Sequence, residues 1–508
     1  MKKKFLKWGT ILLGMGMVCA LALGGCGEKP QTPGGENPGI QNPGNNNNNN
    51  NKEEEFRVSY RAGYTPEKIG DVKSEFEELA PGVYLVKNTM TILTGGANVK
   101  GKTSVVYTVE VDLKKADVNA GTKDNKTVGF NWEKTTPYKM GQAWEEATGG
   151  KVYASINADF FGTYSVNAFV KDGIIIKDGH NDNGYYDYKQ TGVPDGSPNA
   201  DVPASAPMLF GIKGTTAQIA PIKAVTGDPT TAAVKQQFVQ SKLFYALNDG
   251  LGNVLSVKEN IPIASGLDGK EIAFRTSTTP IEQKAGGYAV KVDTTGGITN
   301  LKVEEVHYLE KRTEIVADES HAWLQTTAEF SVASNYLKSL KPGDTISFAV
   351  ASEDGTWNGY DTILGCRQAL VTNNAIPATV AKENTNGAQT QDIPRTAVGV
   401  KNGRVVLIAV ESLYYYINST VINKNGYKAN PETDFHGMNL PELAEFAYYY
   451  GCSDAANFDG GGSTHLVVHP EGEDARVVVR SADYNATTDL FTTRVVMNAF
   501  LITSRVSG

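Results

Sequence analysis

The chain has 508 residues, of which 40% are hydrophobic and 20% are charged. This composition can form one large core or two medium cores, and it is too polar for a bundle of membrane-spanning helices. Acidic residues outnumber basic residues by 56 to 48, which gives a formal net charge of −8. We therefore expect no nucleic acid partner, because binding to a phosphate backbone depends on a surplus of Lys and Arg.

The first residues predict export. Three lysines at positions 2–4 precede an apolar run from Trp8 to about Leu23, which is short for a transmembrane helix and typical of a secretory signal. The small residues before Cys26 resemble the bacterial lipobox, in which the cysteine becomes lipidated, and an ordinary signal peptide with a chance cysteine is the alternative. We assign residues 1–25 as a lipoprotein-type signal peptide and Cys26 as the lipidation site, and we expect an extracytoplasmic protein anchored to a bacterial membrane or cell surface.

The next segment, residues 26–55, is predicted to be a disordered tether. Of the 25 residues at positions 27–51, 18 are Pro, Gly or Asn, and the segment has almost no apolar group to bury. A single domain is predicted to follow from residue 56 to residue 508, with residues 222–350 as an inserted β-rich subdomain. The oligomeric state is left open.

Strand signals dominate this domain. Helices are predicted at residues 139–147 and 440–450, and Asn439 and Glu442 occupy capping-box positions at the start of the second. The predicted fold class is α+β, with a large mixed, mainly antiparallel β-sheet core and a few helices. The β-branched runs that predict strands lie at residues 105–111, 152–156, 405–410, 466–468, 477–479 and 495–502.

The cysteines leave two alternatives open. Cys366 and Cys452 form one disulfide in an oxidising exterior, or they are two separate buried thiols. The sequence has no C-x-x-C spacing of the kind that binds zinc. No cofactor is assigned, and the sequence does not indicate whether a metal is bound.

Polar residues follow three of the predicted strands. Residues 157–161 have the sequence NADFF, which places Asn157 and Asp159 on one face if the strand continues, although Asn and Asp are also common in turns. Arg395 and Thr396 open a strand within the sequence PRTAVGV, at residues 394–400. Such a strand-end arginine is most often an ordinary surface residue.

The third segment, residues 459–464, has the sequence DGGGST. Consecutive glycines let a backbone approach a ligand and turn several N–H groups towards one anion, and the two hydroxyl residues add donors. An aspartate before glycines also often only braces its own loop. The segment is not a Walker loop, because the lysine is missing.

These segments together resemble the phosphodiester glycosidase family. The family's NGDFF-like pattern corresponds to residues 157–161, its PRTAxG to 394–399 and its DGGGS to 459–463. Its GMxLxELA helix start and its late RxVxNA correspond to residues 437–444 and 494–499, so the resemblance covers roughly residues 140–505. Ala158 stands where the family commonly has Gly, and His436 stands where it often has a small hydroxyl residue.

The resemblance implies a hydrolase that cleaves the glycosidic bond of a sugar 1-phosphodiester, in which N-acetylglucosamine or a related hexose is linked through phosphate to another sugar or polymer. Asp159, Asp459 and Glu411 are the candidate catalytic carboxylates, and Arg395 is expected to grip phosphate as a planar fork. The candidate substrate- or phosphate-binding residues are Asn157, Arg395, Thr396, Gly460, Gly461, Gly462, Ser463, Thr464 and Arg494.

The competing interpretation is a surface glycan-binding lipoprotein without turnover. Such a module depends more on aromatic platforms than on convergent acids, and the tyrosine runs at residues 414–416 and 448–450 are candidates for stacking on sugars. The alternating members of such runs are also ordinary core residues. His436 and His465 lie near the motifs, where an isolated histidine is more often structural than catalytic.

Overall fold

The structure is a computed structural model. It describes residues 56–94, 100–127, 131–179, 208–221, 243–248, 254–259, 269–276, 281–283, 286–311, 313–318, 320–327, 329–352, 354–381, 392–412, 435–480, 483–485 and 490–505. The predicted signal peptide and the whole predicted tether, including Cys26, lie outside this set.

Strands make up most of the regular structure. In chain order they are β1 (Ile69–Ala80), β2 (Val83–Ile92), β3 (Thr103–Val111), β4 (Ala116–Gly121), β5 (Val152–Asn157), β6 (Phe169–Lys171), β7 (Ile174–Lys177), β8 (Met208–Lys213), β9 (Thr216–Pro221), β10 (Phe244–Asn248), β11 (Val254–Glu259), β12 (Glu271–Arg275), β13 (Ile281–Gln283), β14 (Tyr288–Asp293), β15 (Leu301–Tyr308), β16 (Thr313–Ile315), β17 (His321–Gln325), β18 (Thr345–Ile346), β19 (Ala349–Ala351), β20 (Thr362–Gly365), β21 (Ala369–Val371), β22 (Arg395–Lys401), β23 (Arg404–Glu411), β24 (Asp454–Asn457), β25 (Leu466–Val468), β26 (Arg476–Val479), β27 (Asp483–Asn485), β28 (Leu490–Thr492) and β29 (Ala499–Ser504).

The described residues also contain three α-helices and two short 3₁₀ segments. The helices are α1 (Pro137–Thr148), α2 (Val332–Ser339) and α3 (Leu440–Tyr449), and the 3₁₀ segments are Ala378–Ala381 and Gly461–Ser463.

A seven-stranded antiparallel sheet, the central sheet, has the strand order β1-β2-β3-β23-β22-β24-β21. A second sheet has the order β26-β25-β5-β29-β4, and a third has the order β7-β6-β20-β8-β9. One hydrophobic core joins all three, with Leu407 of β23, Ile156 of β5 and Phe210 of β8 among its buried residues. The central sheet therefore packs face to face against the other two.

One helix covers the outer face of the central sheet, and another covers the outer face of the second sheet. Leu443 and Phe446 of α3 pack with Ile408 on the other face of the central sheet. Trp144 of α1 packs with Leu501 on the outer face of the second sheet. Through the second sheet, the order of layers is thus α3, central sheet, second sheet, α1.

Local sequence explains where α1 and α3 begin. The Thr136 side chain accepts a hydrogen bond from the Lys139 N–H at the start of α1. At the start of α3, Asn439 and Glu442 exchange the two hydrogen bonds of a capping box, as predicted. Both helices predicted from the sequence are confirmed to within about two residues at each end.

Residues 244–351 supply an eight-stranded sheet with the order β18-β15-β14-β17-β12-β11-β10-β19. The described strand pairings of the protein are antiparallel except that between β11 and β12. The core of this sheet also contains Val170 and Ile363 of the third sheet, so the segment packs against the rest of the domain. Helix α2, which begins at a Ser331 cap, was not expected in the predicted β-rich insert.

The fold is mostly β and mainly antiparallel, as the sequence predicted. The β structure is divided among several sheets, where the sequence indicated one large sheet. The predicted strand at residues 495–502 begins later, at Ala499. Cys366 and Cys452 are both buried and both free, which corresponds to the second alternative above. Burial raises the pKa of the Cys452 thiol to about 12.

A buried ion pair lies at the end of β22 that is remote from Arg395. Lys401 Nζ is 3.0 Å from Glu110 Oε1 and also donates to the Ser59 carbonyl oxygen at 3.0 Å. The Tyr450 hydroxyl donates to the same Glu110 oxygen at 2.7 Å, and Lys401 Nζ lies 4.0 Å from the centre of the tyrosine ring. These contacts fasten the first described residues to the central sheet.

No α-helix among the described residues combines the length and apolar character needed to span a membrane.

Candidate active site

Four strand ends from two sheets meet at one edge of the sandwich. In the central sheet, Ala397 of β22 pairs with Asn457, the last residue of β24. In the second sheet, Asn157, the last residue of β5, pairs with Ala499, the first residue of β29. The three polar segments predicted from the sequence are therefore brought together.

Asn157 connects these segments through its side chain. Its Nδ2 donates to the Asp459 carbonyl oxygen at 2.6 Å. Its Oδ1 accepts from Thr396 Oγ1 at 2.9 Å and from the His465 N–H at 3.2 Å. The side chain is buried, and these bonds give Asn157 a positioning role between the two sheets; direct contact with a substrate stays a prediction.

Asp159 lies in the loop after β5 and is only 2% exposed. Its Oδ2 accepts hydrogen bonds from the Ser165 hydroxyl and, at 2.8 Å, from the Asn167 N–H. Its Oδ1 accepts from Asn167 Nδ2 at 2.6 Å. The Asp159 N–H donates to Asn498 Oδ1 at 2.9 Å, so both ends of the residue are held.

The environment of Asp159 favours a protonated carboxyl near neutral pH. Burial raises its pKa to about 7, because the charged form loses its hydration. The hydrogen bonds from Ser165 and Asn167 and the positive charge of Lys177 act in the opposite direction and only partly offset burial. Lys177 itself donates to the carbonyl oxygens of Ser165 and Val166, at 2.8 Å and 3.1 Å.

Asp459 lies in the loop after β24 and is partly exposed. Its N–H donates to the Ala158 carbonyl oxygen at 3.1 Å, so the loops that carry the two aspartates are joined directly. Burial raises the pKa of Asp459 to about 6, against hydrogen bonds from Ser463 and the Gly460 N–H and the positive charges of Arg494 and Arg367. Of the two aspartates, Asp459 is the more accessible to a ligand.

The glycine loop uses much of its hydrogen-bonding capacity within the protein. The Gly460 N–H binds the Asp459 carboxylate, and the Gly461 N–H donates to the Pro394 carbonyl oxygen at 2.8 Å. Both N–H groups thus have partners within the protein, whereas the sequence predicted that the glycine N–H groups would bind an anion. The loop instead braces Asp459, as the alternative interpretation of the sequence stated.

The hydroxyl residues of the loop are buried. Thr464 Oγ1 donates to Thr396 Oγ1 at 3.2 Å, because the Thr396 proton is used in the bond to Asn157, and this contact ties the loop to β22. Ser463 lies between charged groups, because it bonds to Asp459 and accepts from Arg494 Nη1 at 3.3 Å. Any contact of these hydroxyls with a substrate stays a prediction.

Arg494 forms a two-point ion pair with Asp483. Its Nε donates to Asp483 Oδ2 at 2.7 Å and its Nη2 to Oδ1 at 2.6 Å, and the arginine side chain is 40% exposed. Gly462 makes room for the pair, since a Cβ there would lie 2.1 Å from Asp483 Oδ1 and 2.4 Å from Arg494 Nη2. The third glycine is thus required by close packing.

Arg395 and Thr396 point to opposite faces of the central sheet, as adjacent strand residues do. Thr396 faces Asn157 in the second sheet, whereas Arg395 donates from Nε to the Met438 carbonyl oxygen at 2.9 Å beside α3. Arg395 is only 5% exposed. Its burial and its hydrogen bond to the Met438 carbonyl oxygen therefore disfavour the predicted binding of phosphate.

Glu411 ends β23, which neighbours β22. Burial raises its pKa, and the positive charges of Arg480 and Lys87 lower it. Burial and, after it, the negative charge of Glu411 raise the pKa of Tyr107 to about 12. The groups that act on Glu411 are thus different from those that act on Asp159 and Asp459.

The two candidate histidines and the tyrosine run at residues 448–450 pack within the fold. His436 and His465 are 2% and 3% exposed, and burial lowers the pKa of each to about 4. Of the tyrosines at 448–450, Tyr450 is fully buried and Tyr449 stacks on Tyr60 with a ring-centre distance of 4.6 Å. The run at residues 414–416 lies outside the described residues.

Several residues of the site were missed by sequence reasoning. Asn498 lies within a recognised motif, but its contact with Asp159 depends on the fold. Asp483 opens β27 and Arg367 lies between β20 and β21, and no local pattern in the sequence identifies either residue. The other missed residues are Ser165, Asn167 and Lys177.

Among the described residues, no group of three or more His, Cys, Asp or Glu side chains is arranged to hold a metal ion.

Two carboxyl groups with raised pKa values, on loops joined by hydrogen bonds and flanked by arginines, define a candidate glycosidase site on a β-sandwich scaffold. Residues 288–503, which make up less than half of the chain, match the family of phosphodiester glycosidases. This range includes Arg395, Glu411, Asp459 and Arg494. It is narrower than the range 140–505 of the resemblance, and it does not include Asp159.

Three solved structures resemble the chain at low similarity. A hypothetical protein from Synechocystis has 15% identity and a TM-score of 0.44, and the match covers 88% of this chain and 65% of that one. A putative exported protein from Burkholderia pseudomallei has 12% identity and a TM-score of 0.42, and the match covers 88% and 100%.

The third is the zebrafish N-acetylglucosamine-1-phosphodiester alpha-N-acetylglucosaminidase catalytic domain, auto-inhibited by its pro-peptide. It has 12% identity and a TM-score of 0.39, and the match covers 85% of this chain and 88% of that one. No curated protein sequence matches the chain.

Proposed function

We propose that the protein hydrolyses the glycosidic bond of a sugar 1-phosphodiester, with N-acetylglucosamine or a related hexose as the sugar. The family match supports this reaction class at a coarse level. The observation that carries the proposal is the pair of aspartates, Asp159 and Asp459, on loops joined through the Ala158 carbonyl oxygen.

The chemistry of the leaving group fits this arrangement. A phosphate monoester is a weak base, so its departure needs little protonation. The enzyme must neutralise its charge, stabilise an oxocarbenium-like sugar and supply a carboxylate as nucleophile or base. Asp459 is the partly exposed carboxyl with the lower pKa, about 6, and we assign it this carboxylate role. Asp159, with a pKa of about 7, is assigned as the acid that shares its proton with the departing phosphate oxygen, so that this partial proton transfer adds to the neutralisation of charge.

These assignments set the expected pH dependence. Asp459 must be ionised, so activity rises with pH through about 6, and Asp159 must be protonated, so activity falls through about 7. The predicted profile of kcat/KM is therefore bell-shaped with a maximum between these values. The apparent pKa values belong to the pair of groups when their titrations are coupled.

The test is release of free sugar from a methyl phosphodiester of N-acetylglucosamine 1-phosphate by the purified full chain. We expect Asp459→Asn and Asp159→Asn each to lower kcat by about two to four orders of magnitude with KM little changed. The control is Asp454→Asn at the other end of β24, where Asp454 accepts from the Asn373 N–H at 2.9 Å. It is expected to retain activity.

Two outcomes would contradict the proposal. If the parent chain binds such compounds and releases no sugar, the protein is the glycan-binding lipoprotein considered above. If Asp159→Asn or Asp459→Asn, shown to be folded by thermal melting, turns over within about threefold of the parent, that residue is not catalytic and Glu411 is the next candidate.

We also propose that the protein is exported and held on a bacterial membrane or cell surface through lipid on Cys26. The basic start, the short apolar run and the small residues before Cys26 support this location.

A further inference from the structure

Arg367 lies between the two loops that carry the aspartates. Its N–H donates to the carbonyl oxygen of Asn457, two residues before Asp459, at 2.9 Å. Its guanidinium carbon lies 5.5 Å from the centre of the ring of Phe160, which directly follows Asp159. The arginine is therefore held on one side by the Asp459 loop and on the other by the Asp159 loop.

The position of Arg367 is fixed relative to Asp159 by close packing. Gly365, two residues earlier, ends β20, and a Cβ there would lie 1.8 Å from the Cβ of Asn167. Asn167 is the residue that donates to both carboxylate oxygens of Asp159. Because Gly365 packs directly against the Asn167 side chain, the backbone that carries Arg367 is held next to the residue that supports Asp159.

Arg367 is also more accessible than the arginine predicted from the sequence. It is partly exposed, whereas Arg395 is 5% exposed and lies on the opposite side of the central sheet from Thr396. The contact with Phe160 restrains the guanidinium, so less side-chain freedom is lost when it binds an anion. Its charge acts on Asp459 together with that of Arg494.

We propose that Arg367 binds the phosphate of the substrate and makes the site selective for a charged leaving group over a neutral one. This inference rests on the proposed phosphodiester glycosidase function. A guanidinium presents paired donors that match two phosphate oxygens, and the partly exposed guanidinium of Arg367 lies between the two loops.

The experiment compares two substrates with the same sugar. One is the methyl phosphodiester of N-acetylglucosamine 1-phosphate, and the other is the neutral 4-nitrophenyl N-acetyl-alpha-glucosaminide. In Arg367→Ala, kcat/KM for the phosphodiester is expected to fall about ten- to a hundredfold, the scale of a lost charge-assisted hydrogen bond, and kcat/KM for the neutral substrate to change less than about twofold. Arg367→Lys keeps the charge without the fork and is expected to recover only part of the loss.

A matched control is Arg404→Ala. Arg404 also lies over an aromatic ring, with its guanidinium carbon 5.9 Å from the centre of the Tyr84 ring. It opens β23, whose other end is Glu411, so it lies about 23 Å along the strand from the site edge. Its removal is expected to leave both reactions unchanged.

Calorimetry with inorganic phosphate and with N-acetylglucosamine 1-phosphate provides a readout that does not need turnover. Both ligands are expected to bind the parent chain and to bind Arg367→Ala at least about tenfold more weakly. If the parent hydrolyses neither substrate, the proposed function fails, while the calorimetry still decides the role of Arg367.

Three results would overturn the role of Arg367. They are an equal loss on both substrates, unchanged phosphate binding in a folded Arg367→Ala, and absence of phosphate binding to the parent chain. If Arg367→Ala does not fold, Arg367→Lys is used for the same measurements. Unchanged selectivity between the two substrates and unchanged phosphate affinity in Arg367→Lys would show that the paired guanidinium donors do not bind phosphate.

Discussion

The raised pKa of Asp159 predicts a specific pH dependence of stability. The carboxyl titrates at about 7 in the folded chain and near its ordinary value, about 4, when unfolded. Because the folded pKa is raised, the folded state binds the proton more tightly, and its stabilising contribution is present at low pH and lost as the pH rises towards 7. Asp159→Asn removes this titration and leaves the other groups in place.

The magnitude follows from the shift. At pH 5 the carboxyl is protonated in the folded chain and mostly ionised in the unfolded chain. This pH lies about two units below the folded pKa, so the proton stabilises the folded state by about 3 kcal/mol. At pH 8 both are ionised and the contribution is close to zero. The difference in unfolding free energy, parent minus Asp159→Asn, should therefore fall by about 3 kcal/mol between pH 5 and pH 8.

The assay is urea unfolding followed by tryptophan fluorescence at several pH values, with free energies taken from the midpoint and the m-value. Burial also raises the pKa values of Asp459 and Glu442 to about 6, but these groups are present in both proteins and cancel in the difference. Asp454→Asn again serves as the control. A gap between parent and Asp159→Asn that does not vary with pH would refute the reasoning.

Three further predictions concern packing and location. Gly462→Ala should displace Arg494 and lower kcat/KM with little loss of secondary structure by circular dichroism, because the new Cβ would overlap the ion pair; unchanged kinetics would contradict this packing argument. Lys401→Met should lower the free energy of unfolding by about 3–5 kcal/mol, since it leaves a buried carboxylate without its cation, and a urea midpoint equal to the parent's would show that the pair is unimportant. Cys26→Ser should move the protein from the membrane fraction to the soluble fraction and abolish lipid labelling, and unchanged retention and labelling would exclude the lipoprotein interpretation.

Local signals in the sequence predicted the elements that depend on local physics. Helices α1 and α3 were found because their caps and apolar spacing lie within a dozen residues. Helix α2 has only eight residues and lies among turn signals, so its pattern did not stand out. The strand expected from residue 495 begins at Ala499 because the residues before it, ending in Asn498, contact the Asp159 loop.

The candidate site was predictable only in part, because some of its residues are identified by local motifs and others come together only through long-range packing. The aspartates at strand ends are visible as motifs, and their meeting at one edge follows from strand pairing. The face to which Arg395 points depends on the register of β22, which one sequence does not reveal. Arg367 and Asp483 reach the site through long-range packing, so no short pattern contains them together with the aspartates.

The bond from Lys401 to the Ser59 carbonyl oxygen determines how the domain can be handled in experiments. Arg395 opens β22 and Lys401 closes it, a separation of about 20 Å along the strand. A fluorophore or immobilising group coupled next to Ser59 therefore lies at the end of β22 away from the aspartates. Attachment at that point should leave the approach of a large polymeric substrate unobstructed, which makes it the preferred site for surface-based binding measurements.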